Sequence, residues 1–149
     1  MFIEEPKSRI RIPGEKGSLL DMIRALECEP INPAFARSGL PQLANTAPHT
    51  TAWVISTPAN TSATEAYEEL KKERLLEGPC QGTFVDLLKY GLLRPEAITS
   101  KAIIAFGTTI RSEGEDKNPC LYKIKEETYL DLWGFRPKDC NAVRFLIAA

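Results

Sequence analysis

Histidine is almost missing: His49 is the only one among 149 residues. Its imidazole is the side chain that ordinarily changes charge between about pH 5 and 8, and it is a favoured acid, base and metal ligand. A single copy excludes histidine-rich metal centres and two-histidine proton relays. Cysteine is present but scattered. Cys28, Cys80, Cys120 and Cys140 form no C-x-x-C pair, so no sequence-local zinc or thioredoxin-type arrangement is indicated. Free thiols acting as small apolar core residues are expected, with no metal ligand set. No stretch approaches the ~18 apolar residues that span a bilayer. The start, Met1-Phe2-Ile3-Glu4-Glu5-Pro6, lacks the basic and apolar regions of a secretory leader. The expected location is the cytoplasm, with no membrane partner. A charge surplus is missing too. With 19 Lys+Arg against 20 Asp+Glu, no whole-molecule field draws in nucleic acid, which is not an expected partner. Nor is there a glycine-rich phosphate loop, a dinucleotide fingerprint or a metalloprotease motif.

What is present suits one folded unit over residues 1–149, since 43% of the chain is apolar. Lys7-Ser8-Arg9-Ile10-Arg11-Ile12 alternates and predicts a strand with one basic face. Ser18 and Asp21 cap a helix over residues 18–27. Residues 29–50 carry Pro30, Pro33, Pro41 and Pro48 and have no sustained period. That reads as a proline-stiffened connection with one helical turn at residues 34–37. Residues 51–57 are β-branched and aromatic, a strand. Ser62 and Glu65 form a capping box for a helix through Leu75, stopped by Gly78-Pro79. Thr83 caps a helix over residues 84–90, with Gly91 as its C-terminal stop, and Pro95 opens another turn. A strand over residues 101–110, a polar turn over 112–119 and a returning strand over 120–124 follow. Residues 126–133 are read as a short helix, from two leading glutamates and the following Gly134 and Pro137. The apolar run 142–148 closes the chain as a central strand, or as one offered to a second copy in a homo-oligomer. The fold class is α+β: a mixed or mainly antiparallel sheet of about five strands with three to four helices.

Two sets of residues carry candidate chemistry. Cys80 sits between a helix stop and a helix start, where the helix dipole favours thiolate. With His49 as base and Asp86 or another carboxylate as orienter, a cysteine hydrolase can be assembled. Cys80-Gln81-Gly82-Thr83 resembles the cysteine-at-helix-start arrangement of papain-like peptidases, although here the histidine precedes the cysteine. In chain order, Arg9 and Arg11, then Ser56-Thr57, then Glu113-Gly114-Glu115, are similar to the pattern of the arginine/serine/glutamate class of ADP-ribosyltransferases. That resemblance implies NAD as cofactor. It makes Arg11 the phosphate anchor, Ser56 part of the nicotinamide pocket, and Glu113 and Glu115 the acidic pair acting on the transition state.

Each set has a plainer account: an alternating edge strand, a strand end, a solvated acidic turn and a half-buried thiol. The leading expectation is therefore a small non-catalytic interaction or regulatory protein that binds another protein, without cofactor. Its binding residues are expected to be Lys7, Arg9 and Arg11, because arginine suits bidentate oxyanion contacts, together with Arg37 from the proline-rich connection.

Overall fold

The computed structural model describes residues 2–14, 18–28, 32–37, 49–74, 80–134 and 136–149, with the side chains of Ala36 and Arg37 excepted. Most of the proline-rich connection, Leu75 and the Gly78-Pro79 stop lie outside them. In chain order come β1 (Ile3–Glu4), β2 (Ile10–Arg11), α1 (Leu19–Ala25), α2 (Ala34–Arg37), β3 (Thr51–Ser56), α3 (Ala63–Lys72) and α4 (Phe84–Leu93). A 3-10 turn (Pro95–Ala97), β4 (Ile103–Ile104), β5 (Ile110–Ser112), β6 (Glu115–Ile124) and β7 (Glu127–Trp133) follow. A second 3-10 turn (Pro137–Asp139) leads to β8 (Arg144–Ala148). All eight strands join one mixed sheet in the order β1-β3-β8-β4-β6-β5, with β2 also on β3 and β7 on β6. Only the β4–β8 pair is parallel.

The α+β class and the capped helices agree with the sequence reading. Ser18, Ser62 and Thr83 each accept a hydrogen bond from the backbone three residues on. Four strand-level expectations need correction, and together they explain why the sheet has eight strands instead of five. The alternation over residues 7–12 is not one strand. Register pairs Glu4 with Ile55 and Ile10 with Ala52, so the five residues 5–9 face only Trp53 and Val54. The surplus loops out, with Lys7 in the left-handed region at φ 60. Ser8 turns inward and replaces the missing strand neighbour: Val54 N–H donates to its Oγ at 3.2 Å, and that Oγ donates to Val54 C=O at 3.3 Å. Residues 101–110 break in the same way. Ile104 pairs with Cys120 and Ile110 with Lys117, so residues 105–109 bulge opposite Asn118 and Pro119.

The expected polar turn at 112–119 shrinks to Glu113-Gly114, both at positive φ (54 and 77), and β6 starts at Glu115. Residues 126–133 form β7 instead of a helix. Lys125 at φ 56 makes the reversal, and seven register pairs zip β7 onto β6. Gly91 does not stop α4 but lies inside it. A Cβ there would come within 2.9 Å of Leu121 Cδ1 and 3.1 Å of Leu26 Cδ2, so glycine lets helix, sheet and α1 close together.

The sheet buries both faces. Leu19, Met22 and Ile23 of α1 and Phe84, Leu87 and Leu88 of α4 cover Val54, Ile103, Leu121 and Leu146. Ala66 and Leu70 of α3 cover Ile55, Ile104, Phe145 and Ile147 on the other side. All five residues of β8 are buried, as a central strand with helices on both faces requires. Because β3 and β4 occupy both its edges, β8 has no free edge to offer a second copy. Gly107, in the second bulge, crosses the Gln81-Gly82 backbone. A Cβ on it would stand 2.7 Å from Gly82 C=O and 2.8 Å from Gln81 C=O, and backbone cannot step aside. Gly107→Ala is expected to lower stability by about 1–3 kcal/mol. The check is the urea midpoint, which must fall at an unchanged slope; a midpoint equal to that of the parent protein refutes the close-approach account.

Candidate functional site

Arg144 opens the central strand and is only 5% exposed. A guanidinium stays charged at any physiological pH, so its burial demands acceptors around its fork of donors. They come from two places. Nε donates to Lys101 C=O at 3.1 Å, and Nη2 donates to Lys101 C=O (2.7 Å), Ala97 C=O (2.8 Å) and Thr99 Oγ1 (3.0 Å). Nη1 donates to Glu5 Oε1 at 3.1 Å, closing an ion pair between the central strand and the bulge after β1. Tyr90 of α4 donates its hydroxyl to Ser8 C=O at 2.8 Å. Burial pushes that phenol up to about 12, so it remains a donor.

These residues form the floor of a cleft of about 550 Å³, whose rim includes Lys7, Arg94, Lys101 and Glu96. Among the described residues, Glu5 pairs with Arg144 and Glu96 with Arg94 at 3.3 Å, which leaves Lys7 and Lys101 as a local positive excess in a chain of net charge -1. The bulge places Lys7 here, because without the surplus residues it would continue an edge strand.

The second constellation is a clamp at the start of α4. Asp86 is the third residue of that helix and 4% exposed. Its Oδ2 accepts from Thr83 N–H (2.9 Å), from Thr83 Oγ1 (3.0 Å) and pairs with His49 Nδ1 at 2.7 Å. The orienting carboxylate expected for His49 is thus the one the fold supplies. Cys80 is exposed, and its carbonyl accepts from Ala148 N–H across the end of β8. No hydrogen bond between its thiol and His49 is formed among the described residues.

The chain matches no family model, no curated protein and no solved structure.

The transferase pattern is not assembled. Arg11 pairs with Thr51 at one end of β3, while Ser56 pairs with Ile3 at the other. Glu113 and Glu115 lie on the β5–β6 hairpin, beyond β8 and β4. They are tied to Lys117 (3.4 Å) and Arg136 (3.0 Å). Arg9 is held by Glu4 and lies 3.8 Å over the Trp53 ring. Arg37 ends α2, and its side chain lies outside the described residues. Of the expected binding residues whose side chains are described, Lys7 alone lines the Arg144 cleft. Sequence reasoning missed Arg144 itself; the available signal was a lone arginine opening the apolar run Phe145-Leu146-Ile147-Ala148.

The other three thiols are buried, and burial pushes Cys28 and Cys140 to about 11 and Cys120 to about 12. Among the described residues, no group of three or more histidines, cysteines or carboxylates gathers closely enough to hold a metal ion. No described helix is long and apolar enough to cross a membrane. Removing the shared carboxylate leaves a buried hydroxyl, a backbone donor and an imidazole short of a partner. Asp86→Ala should accordingly cost about 1–3 kcal/mol, measured by thermal and urea unfolding. Parent-like stability would show that the clamp contributes nothing to the fold.

Proposed function

We propose that this chain is a non-catalytic binding protein of the cytoplasm that takes an acidic segment of another protein into the Arg144 cleft. The observation that carries the reading is the cleft's positive excess around a buried, preorganised arginine, set in a protein with no positive charge overall. Arginine held by two carbonyls, a hydroxyl and a carboxylate keeps its fork fixed, so a carboxylate arriving at the rim meets an ordered field. Lys7 and Lys101 supply mobile charges at the edge, where they steer encounter and tighten contact. No cofactor is part of the proposal. Four free cysteines suit a reducing compartment, which supports the location.

The test is fluorescence anisotropy at physiological salt with a labelled peptide rich in glutamate and aspartate, against its glutamine/asparagine counterpart. Saturable binding of the acidic peptide alone is expected. Lys7→Ala combined with Lys101→Ala should weaken it about tenfold or more, equivalent to roughly 1.4 kcal/mol. Arg11→Ala, which touches no part of the cleft, should leave it unchanged. Equal binding of both peptides, or equal loss in the Arg11 variant, overturns the proposal.

One observation favours a second reading, a cysteine hydrolase. The 2.7 Å contact between His49 Nδ1 and Asp86 is the arrangement in which a carboxylate orients a catalytic imidazole. In that reading His49 takes the thiol proton, the Cys80 thiolate attacks an acyl carbon and expels the amine or alcohol, which receives that proton from His49, and water then hydrolyses the thioester to a carboxylic acid and the free thiol. Cys80 is then expected to react with iodoacetamide faster than Cys28, Cys120 and Cys140, and several-fold more slowly after His49→Ala. Mass spectrometry of the four alkylation rates decides it: a Cys80 rate indifferent to His49 removes the hydrolase.

A further inference from the structure

A second hollow, of about 500 Å³, opens on the other side of the segment leading into β4. Thr99 and Lys101 line the Arg144 cleft, whereas Ser100 and Ala102 line this one. Its character is the reverse of the first. Two aromatic rings, Tyr122 and Trp133, and two carboxylates, Asp131 and Asp139, form its walls, and no lysine, arginine or histidine among the described residues lines it.

The walls are set by the β6–β7 register. Tyr122 lies opposite Tyr129 and stacks on it at 5.3 Å with the rings 9° apart. The Tyr122 hydroxyl donates to Asp131 Oδ2 at 3.0 Å, and Asp131 Oδ1 accepts from Asn32 Nδ2 at 3.0 Å and its neighbour Leu132 N–H at 2.7 Å. Asp131 is thereby fixed with no ion pair among the described residues. Asp139, at the end of the second 3-10 turn, is half-buried and makes no ion pair among the described residues. Of the neighbouring cations, Arg136 is committed to Glu115 and neither it nor Lys138 lines the hollow. Ile124 stands at the rim, 52% exposed.

The indole of Trp133 adds an independent sign. Its Nε1–H is the one buried side-chain polar atom without a hydrogen-bond partner among the described residues. Buried donors are rarely left unmet. Trp133 itself lines the hollow, so the unmet donor belongs to a residue that an entering group touches.

We propose that this hollow binds an arginine or lysine side chain presented by a peptide segment. The cation lies between the two carboxylates and against the Tyr122 and Trp133 rings, where charge and ring faces attract it together. A carbonyl of the same segment meets the Trp133 N–H. A peptide supplies both groups at once, which a simple metal cation does not. The site is independent of the Arg144 cleft, and either can fail without the other.

The experiment titrates the whole protein with a capped Gly-Arg-Gly peptide and follows the two tryptophan indole N–H signals by nitrogen-proton correlation spectroscopy. A saturable shift of the Trp133 signal is expected, with the Trp53 signal unmoved as the internal reference. Replacing arginine with neutral citrulline should weaken binding about tenfold, and Asp139→Asn should do the same. Free arginine amide should bind more weakly than the peptide. No saturable shift, equal binding of the citrulline peptide, or indifference to Asp139→Asn overturns the site. Binding of arginine amide as tight as that of the peptide overturns the peptide as its occupant. A Trp53 signal at its parent position in Asp139→Asn shows that the variant is folded, and Asp139→Glu, which keeps the charge, should retain most of the binding.

Discussion

A permanent positive charge sits at the beginning of the strand on which the sheet is centred. The Arg144 guanidinium cannot shed its proton, so the surrounding chain must satisfy its donors. It does so with two backbone carbonyls and a hydroxyl from residues 97–101 and with the Glu5 carboxylate. Those partners fix the segment entering β4 and the bulge leaving β1 relative to β8. The same contacts define the floor of the cleft. A buried ion pair of this kind is weak evidence for added stability, because desolvation offsets much of the attraction. Its firmer consequence is specificity of arrangement: wrong register at the parallel β4–β8 pair would leave a buried charge unmet.

The two bulges serve a common purpose. Each sets five residues against two on the neighbouring strand, and each reaches α4. Ser8 C=O in the first accepts from Tyr90, and Thr108 Oγ1 in the second accepts from Phe84 N–H at 2.8 Å. One helix is thus held at its first turn by one edge and near its last turn by the other. Bulges near functional clefts commonly re-aim side chains, and here the first brings Lys7 to the Arg144 cleft.

Local signals carried the helices and the strands β3 and β8. Serine and threonine caps, the β-branched run at 51–56 and the apolar run ending at Ala148 all encode structure over a few residues. The bulges were illegible, because Lys7-Ser8-Arg9-Ile10 alternates as well as any strand and only the partner's register shows the surplus. Residues 126–133 misled for a related reason. Lys125-Glu126 has none of the glycine or asparagine that advertises a tight reversal, and Glu126 and Glu127 imitate a helix start. At the candidate sites, the pairing of His49 with Asp86 was among the combinations the sequence allowed. Arg144 was not, since half of its acceptors are backbone carbonyls with no residue identity. Nor does a sequence reveal that Thr99–Lys101 and Ser100–Ala102 face opposite hollows until the extended backbone is placed.

The position of β8 has a kinetic side. Its partner β3 lies about ninety residues earlier in the chain, and β4 about forty earlier. Until residues 144–148 leave the ribosome, β3 and β4 have no strand between them to pair with, and the apolar surfaces of α1, α3 and α4 have only part of a sheet to pack on. Long-range pairing of this kind slows folding and prolongs exposure of unpaired edges. During that interval the nascent chain presents two open strand edges, and only the arrival of β8 closes both at once.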